Sequence, residues 1–180
     1  MSGRSILLVP LGGAAETAID LAPQLVAAFG VVCQVSERRL DPAFAFDAVR
    51  GQYRSDLLLH SLAGAFPHAW RVLGVATVDL FVPVLTFVFG EAELGGRNAV
   101  VSAYRLREEV YGLPPDEPLS LQRLLKEAAH ELGHTFALRH CDDWTCVMRS
   151  SQAVEQLDLK TAQFCERCRM RLHPAMIAAT

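Results

Sequence analysis

Residues 130–140 read His-Glu-Leu-Gly-His-Thr-Phe-Ala-Leu-Arg-His. His130 and His134 stand four residues apart. A helical turn takes about 3.6 residues, so on a helix both imidazoles project from one face, the separation at which two side chains share one zinc ion. His140 lies six residues further on. It reaches the same ion only if the helix stops and the chain turns back near 137. Three protein ligands leave a fourth tetrahedral position for solvent, which marks a catalytic rather than a structural ion. Glu131 follows the first ligand directly, where it can take a proton from water without binding the metal. The chemistry to expect is metal-assisted hydrolysis, with Glu131 as general base. The bland alternative for paired helical histidines is a surface or packing role.

A second set of metal-ligand residues follows. Cys141, Cys146, Cys165 and Cys168 form two pairs with ligand-like spacing. Four thiolates fill a tetrahedral zinc shell and leave no open position, so this site is expected to be structural. It would lend folding energy to a segment of about 40 residues that cannot build a large core. Two disulfides or free buried thiols are the alternatives. Four thiolates around Zn²⁺ leave a charge of −2, and Arg139, Arg149, Arg167, Arg169 and Arg171 are near in sequence to offset it. His173 could stand in for a cysteine. Two zinc ions per chain are therefore expected. Because His140 and Cys141 are neighbours, the two sites should be coupled. Cys33 stands alone in an apolar run and reads as a small buried residue, while His60 and His68 read as isolated side chains.

The elements that position these residues follow from the pattern. The chain has 180 residues, half of them apolar and about a fifth charged, with a net charge of −3. One domain over 1–180 is expected, with an N-terminal lobe to about 137 and a small C-terminal lobe from about 138 to 180, and a cleft between. The charge balance argues against nucleic acid, and no apolar run approaches a membrane span. Ser5 to Leu11 reads as a buried first strand rather than a secretion signal, so a cytoplasmic location is expected, and a monomer is favoured. Further along come a helix from Glu16 to Phe29 stopped by Gly30, a strand from Val31 to Val35, and a helix from Ala48 to Ala63. Apolar stretches Leu73 to Val78 and Leu85 to Phe89 precede a Gly-rich turn, Gly90 to Gly96, and a strand from Ala99 to Tyr104. The loop 112–118 leads to a helix at about 121–136 with Ser120 as N-cap. Its stripe Leu121, Leu124, Leu125, Ala128, Leu132 and Phe136 lies opposite the two histidines. A last helix is expected from about Asp158 to Leu172. The fold class is α+β: a mixed sheet with packed helices.

The stretch 130–148 resembles the metzincin signature, three histidines and a Met-turn. More narrowly it resembles the archaemetzincins, with Cys141 directly after the third histidine, then Cys146-Val-Met148 and Cys165-Glu-Arg-Cys168. The likeness reaches upstream to Asp79-Leu-Phe81, Phe87-Val-Phe-Gly-Glu-Ala92 and Val101-Ser-Ala-Tyr-Arg-Leu106. It implies a metzincin-type fold, zinc-dependent peptidase activity and a peptide or protein substrate laid along an edge strand, either 99–104 or 85–89. It also implies Met148 as a hydrophobic floor beneath the metal, not a ligand. Ser150 stands where some metzincins carry a zinc-binding tyrosine. The signature glycine is Ala137 here, and the turn is expected to form nonetheless. Two other functions fit the residues less well. One is an aminopeptidase or small-amide hydrolase. The other is a zinc-binding interaction module with vestigial activity, for which an intact Glu131 has no use.

Overall fold

The computed structural model describes residues 4–178. The first three and last two residues of the span expected as one domain lie outside the described residues. The run Ser5–Pro10 forms β1, and Ala15–Phe29 forms α1. Gly30, in the left-handed region at φ 67°, ends α1 by donating to the Val26 carbonyl, the C-cap that glycine alone takes without strain. Then come β2 (Val32–Val35), β3 (Phe46–Asp47), β4 (Gln52–Arg54) and α2 (Ser55–Ala65). Next are β5 (Arg71–Ala76), β6 (Leu80–Phe81), β7 (Gly90–Ala92) and β8 (Asn98–Ser102). The long helix α3 (Glu117–Thr135) precedes two short ones, α4 (Val154–Leu159) and α5 (Glu166–Ala178).

The main sheet runs β2-β1-β5-β8-β7. Its first four strands are parallel, and β7 runs antiparallel to β8 at the edge. Strands β5 and β8 are buried at every residue, as continuous apolar runs in a two-sided parallel sheet must be. Helices α1 and α3 pack on one face, with Leu21, Leu25, Leu73, Val101, Leu124 and Leu132 in a single core cluster. Helix α2 covers the other face through Leu58, Leu59 and Leu62. The expected α+β class, a mixed sheet with packed helices, is what the chain adopts.

Several boundaries differ from expectation, each for a physical reason. The helix expected from Ala48 begins only at Ser55, because β3 and β4 pair as a hairpin across Gly51 at φ 67°. The Asp47 carboxylate accepts from the amides of Val49 and Arg50 and closes that turn, a local competitor to helix. The run 85–89 is irregular, and the strand starts where a glycine turn was expected, at Gly90. Helix α3 begins before Ser120: Asp116 is the N-cap, accepting from the Leu119 amide at 2.9 Å, with Pro118 in the first turn, a position proline tolerates. The last expected helix is split by 160–165, and Cys165 lies in the break. Within that break Lys160 reaches inward. Its ammonium, fully buried, meets the buried Glu127 carboxylate at 3.1 Å and donates to the Arg149 carbonyl at 3.0 Å, so the chain beyond 137 is bolted to α3.

Candidate active site and metal centre

The apolar stripe of α3 packs into the core as its spacing requires. The opposite face is buried too: His130 is 5% exposed and Glu131 6% exposed, His130 against Val147 and Glu131 against Gly90 of β7. The reversal happens at Ala137, the non-glycine residue with positive φ, 62°, among the described residues. Ala137 donates to His134 O at 2.9 Å and Leu138 to Gly133 O at 3.1 Å, the paired bonds of a Schellman helix end. The left-handed conformation costs an alanine about 1–2 kcal/mol. Ala137→Gly should therefore raise the melting temperature by about 2–4 °C, the shift that about 1 kcal/mol gives a chain of this size. An unchanged or lower melting temperature would mean that the turn carries no strain.

The turn brings the three histidines together, with all three donor atoms within 4.8 Å of one another. His130 and His134 oppose their Nε2 atoms at 3.1 Å. Their Nδ1 atoms are occupied elsewhere: His130 Nδ1 donates to Val147 O at 2.9 Å, and His134 Nδ1 to Leu138 O at 2.7 Å. Each ring thus carries its proton on Nδ1 and aims the Nε2 lone pair at the same point. Burial lowers the His130 pKa well below the ordinary imidazole value, with Lys160 and His134 adding to the effect. Burial likewise lowers His134. Two neutral lone pairs facing at this distance repel unless a cation lies between them. Zinc–nitrogen bonds of about 2.0–2.1 Å at tetrahedral angles put ligand nitrogens about 3.3–3.4 Å apart. The donor set fits that ion. His140 is exposed, so the site opens to solvent on its side.

Glu131 projects from α3 beside this cluster. Burial pushes its pKa well above the ordinary carboxylate range, and Glu127 and Glu91 push it further, while Lys160 opposes them. Met148 is fully buried and packs beneath the helix at Gly133. A β-carbon at 133 would lie 2.5 Å from the Met148 Sδ, so the glycine between the two histidines is what admits the methionine.

The four cysteines converge as well, with all sulfurs within 4.8 Å of one another. Cys141 and Cys165 are 3.8 Å apart, against about 2.05 Å for a disulfide and about 3.8 Å for two thiolates on tetrahedral zinc at bond lengths near 2.3 Å. Burial pushes Cys141 up, but Arg167, donating to its sulfur at 3.2 Å, outweighs this together with neighbouring hydrogen bonds and brings it to about 7. Burial and the adjacent thiols push Cys168 up. Thiolates crowded this way need a cation, and the set fits zinc. Cys33 is half-buried, and its thiol donates to the Val31 carbonyl.

Three features lay outside sequence reading. The carbonyls that orient the histidines are backbone groups and leave no signature. Glu91, which reads as a solvated turn charge, instead sits half-buried on β7, accepting from Ser55 Oγ at 2.5 Å. Trp144, which reads as a packing residue or a liner of the cleft, is 63% exposed and lies under the Arg149 guanidinium at 3.9 Å. Of the two strands named as substrate edges, 99–104 falls in β8, which is interior. The edge is β7.

Comparisons agree with this geometry. The model of peptidase family M54 matches residues 45–174. The archaemetzincin of Methanocaldococcus jannaschii is 43% identical over 144 residues, covering 80% of this chain and 78% of that one. The archaemetzincin of Thermococcus kodakarensis is 36% identical over 94% of this chain and 95% of its own. Among solved structures, the archaemetzincin of Archaeoglobus fulgidus complexed with malonate superposes with a TM-score of 0.82 at 36% identity, over 93% of this chain and 99% of that one. The Methanopyrus kandleri archaemetzincin gives a TM-score of 0.82 at 37% identity, over 98% and 99%.

Proposed function

We propose how this chain hydrolyses peptide bonds from one premise: it belongs to peptidase family M54, the archaemetzincins, and is a zinc-dependent metallopeptidase. His130, His134 and His140 hold the catalytic zinc. The observation that carries this is the pair of Nε2 atoms, one on a buried ring and one on a half-buried ring, facing at 3.1 Å with both Nδ1 protons committed to carbonyls. A zinc ion bound there supplies Lewis acidity, polarising the scissile carbonyl and lowering the pKa of a water to about 7. Glu131 accepts the water's proton as the oxygen attacks, then passes it to the leaving nitrogen. Burial raises the Glu131 pKa, which makes the carboxylate a stronger proton acceptor.

The substrate lies along β7, whose outer edge offers unpaired backbone groups, so that main-chain hydrogen bonds fix the peptide's register. Met148 is the floor under the ligand histidines. Cys141, Cys146, Cys165 and Cys168 hold a second, structural zinc. The chain is a metzincin-type single domain over 1–180, its N-terminal lobe ending near 137 and its smaller lobe starting near 138, with substrate between them. Four thiolates on zinc persist only where thiols stay reduced, which favours the cytoplasm.

Elemental analysis should find two zinc ions per chain. Cleavage of a peptide library should stop on chelation and return on adding zinc. Alkylation after denaturing the chelated protein should count five free thiols. One zinc per chain would remove either the catalytic or the structural assignment, and two disulfides would argue for an oxidising compartment. Cleavage that survives removal of all zinc would end the mechanism.

A further inference from the structure

Gly90 is the first residue of the edge strand and pairs with Val101 of β8. Its φ lies outside the left-handed region, so the backbone does not demand glycine here. The space does. A β-carbon at this position would lie 2.7 Å from Glu131 Cγ, 3.0 Å from Glu131 Oε1 and 2.7 Å from the Val100 carbonyl oxygen. Carbon contacts settle at about 3.5–4.0 Å, so the approaches to Glu131 Cγ and to the Val100 oxygen are collisions and the approach to Oε1 is tight. Val100 is fully buried in an interior strand, and its carbonyl has nowhere to go while β7 stays paired. An added β-carbon therefore strains the pairing of β7 with Val100 and also displaces Glu131, a side chain on the neighbouring helix and the more mobile of the two partners.

We infer that Gly90 is a positioning residue: by lacking a side chain, the edge strand sets where the carboxylate arm of Glu131 lies. The inference rests on the reading of Glu131 as base and of β7 as the substrate strand. Its consequence is that base and substrate take their places from one close contact. The strand that fixes the peptide's register also fixes the proton acceptor beside it, so the two stay aligned without a hydrogen bond between them. An alanine at 90 would push the carboxylate arm along or away from the helix by about an ångström, a displacement that costs roughly 10- to 100-fold in rate.

The test is Gly90→Ala, assayed with a fluorogenic peptide that the wild-type chain cleaves. The expected result is two zinc ions per chain and a roughly 10- to 100-fold lower kcat, with KM rising by less than kcat falls, since a displaced base slows chemistry more than a strained but paired strand weakens binding. A kcat close to wild type would overturn the inference. So would a raised KM with unchanged kcat, which would mean that the strand moved and the base did not. Stability supplies the second arm. Gly90→Ala should lower the melting temperature in the wild-type background and by a smaller amount in the Glu131→Ala background, where the arm is gone and the Val100 contact alone remains. Should Gly90→Ala fail to fold, a folded Gly90→Ala/Glu131→Ala double variant supports the contact, and an unfolded one assigns the collision to Val100 and overturns it. Glu131→Gln run beside these reports on the base alone: if it cleaves at the wild-type rate, the base reading fails, and the melting comparison still decides the contact.

Discussion

Glu131→Gln should keep both zinc ions, fold like the wild type and lose about 10²–10⁴-fold in kcat, the range that a positioned general base contributes. Glutamine matches the carboxylate in shape, so the packing against Gly90 survives. What it lacks is a basic oxygen. His130 and His134 carry their orienting bonds to Val147 and Leu138 rather than to Glu131, so their aim does not depend on the carboxylate. Glu131 is buried and its pKa is raised by that burial, by Glu127 and by Glu91. Replacing a buried acid with a neutral amide relieves that cost, so the variant should be at least as thermostable as the wild type. The combination of unchanged zinc, unchanged or higher melting temperature and collapsed kcat separates a chemical role from a structural one. Glu131→Ala should lose turnover in the same way. Wild-type cleavage by either variant would remove Glu131 from the mechanism and return the site to a vestigial or structural reading.

The parts of this centre that could be read in sequence are those governed by local periodicity. His130 and His134 had to share a helical face, and the need for a reversal near 137 followed from His140 alone. The reversal occurs there, at an alanine in a conformation that favours glycine, because the Schellman bonds of Ala137 and Leu138 hold it. The parts that could not be read are set by distant partners. The run 85–89 has strand composition, but Arg50 and Gln52, more than 30 residues earlier in sequence, bond the carbonyls of Leu85 and Thr86, and side chains take the places a ladder would fill. Ser120 is a good capping residue in isolation. Asp116 wins because Pro118 can occupy the first turn and α3 gains a further turn. Gly90 and Gly133 both sit where another atom needs room, and a glycine seen in sequence does not say whether it is there for a turn or for a neighbour. Lys160, one of two lysines in the chain, gives no hint that its ammonium is fully buried against Glu127.

The largest effect on stability is expected at the cysteines. Cys168→Ser should lose the structural zinc, and with it the catalytic zinc and the fold of the segment beyond 137. Structural zinc contributes about 10–16 kcal/mol of apparent binding energy in small domains, while whole domains are stable by about 5–15 kcal/mol, so no other single site could offset the loss. The connection to the catalytic centre is short. Cys141 follows the ligand His140, and its amide donates to the Met148 carbonyl at 3.0 Å. Val147, between Cys146 and Met148, is pinned by a bond from its amide to Gln163 O at 2.9 Å. Its own carbonyl holds His130 Nδ1 at 2.9 Å. A ligand lost at 168 loosens Cys146, then the Val147 carbonyl, then the ring that must keep its Nε2 aimed at the metal. Cys168→His, which offers another zinc ligand, should recover part of what serine loses. After desalting, Cys168→Ser should retain close to no zinc and melt broadly at low temperature. If it keeps one zinc and cleaves peptides normally, the two centres are independent and the cysteines do not build the catalytic site.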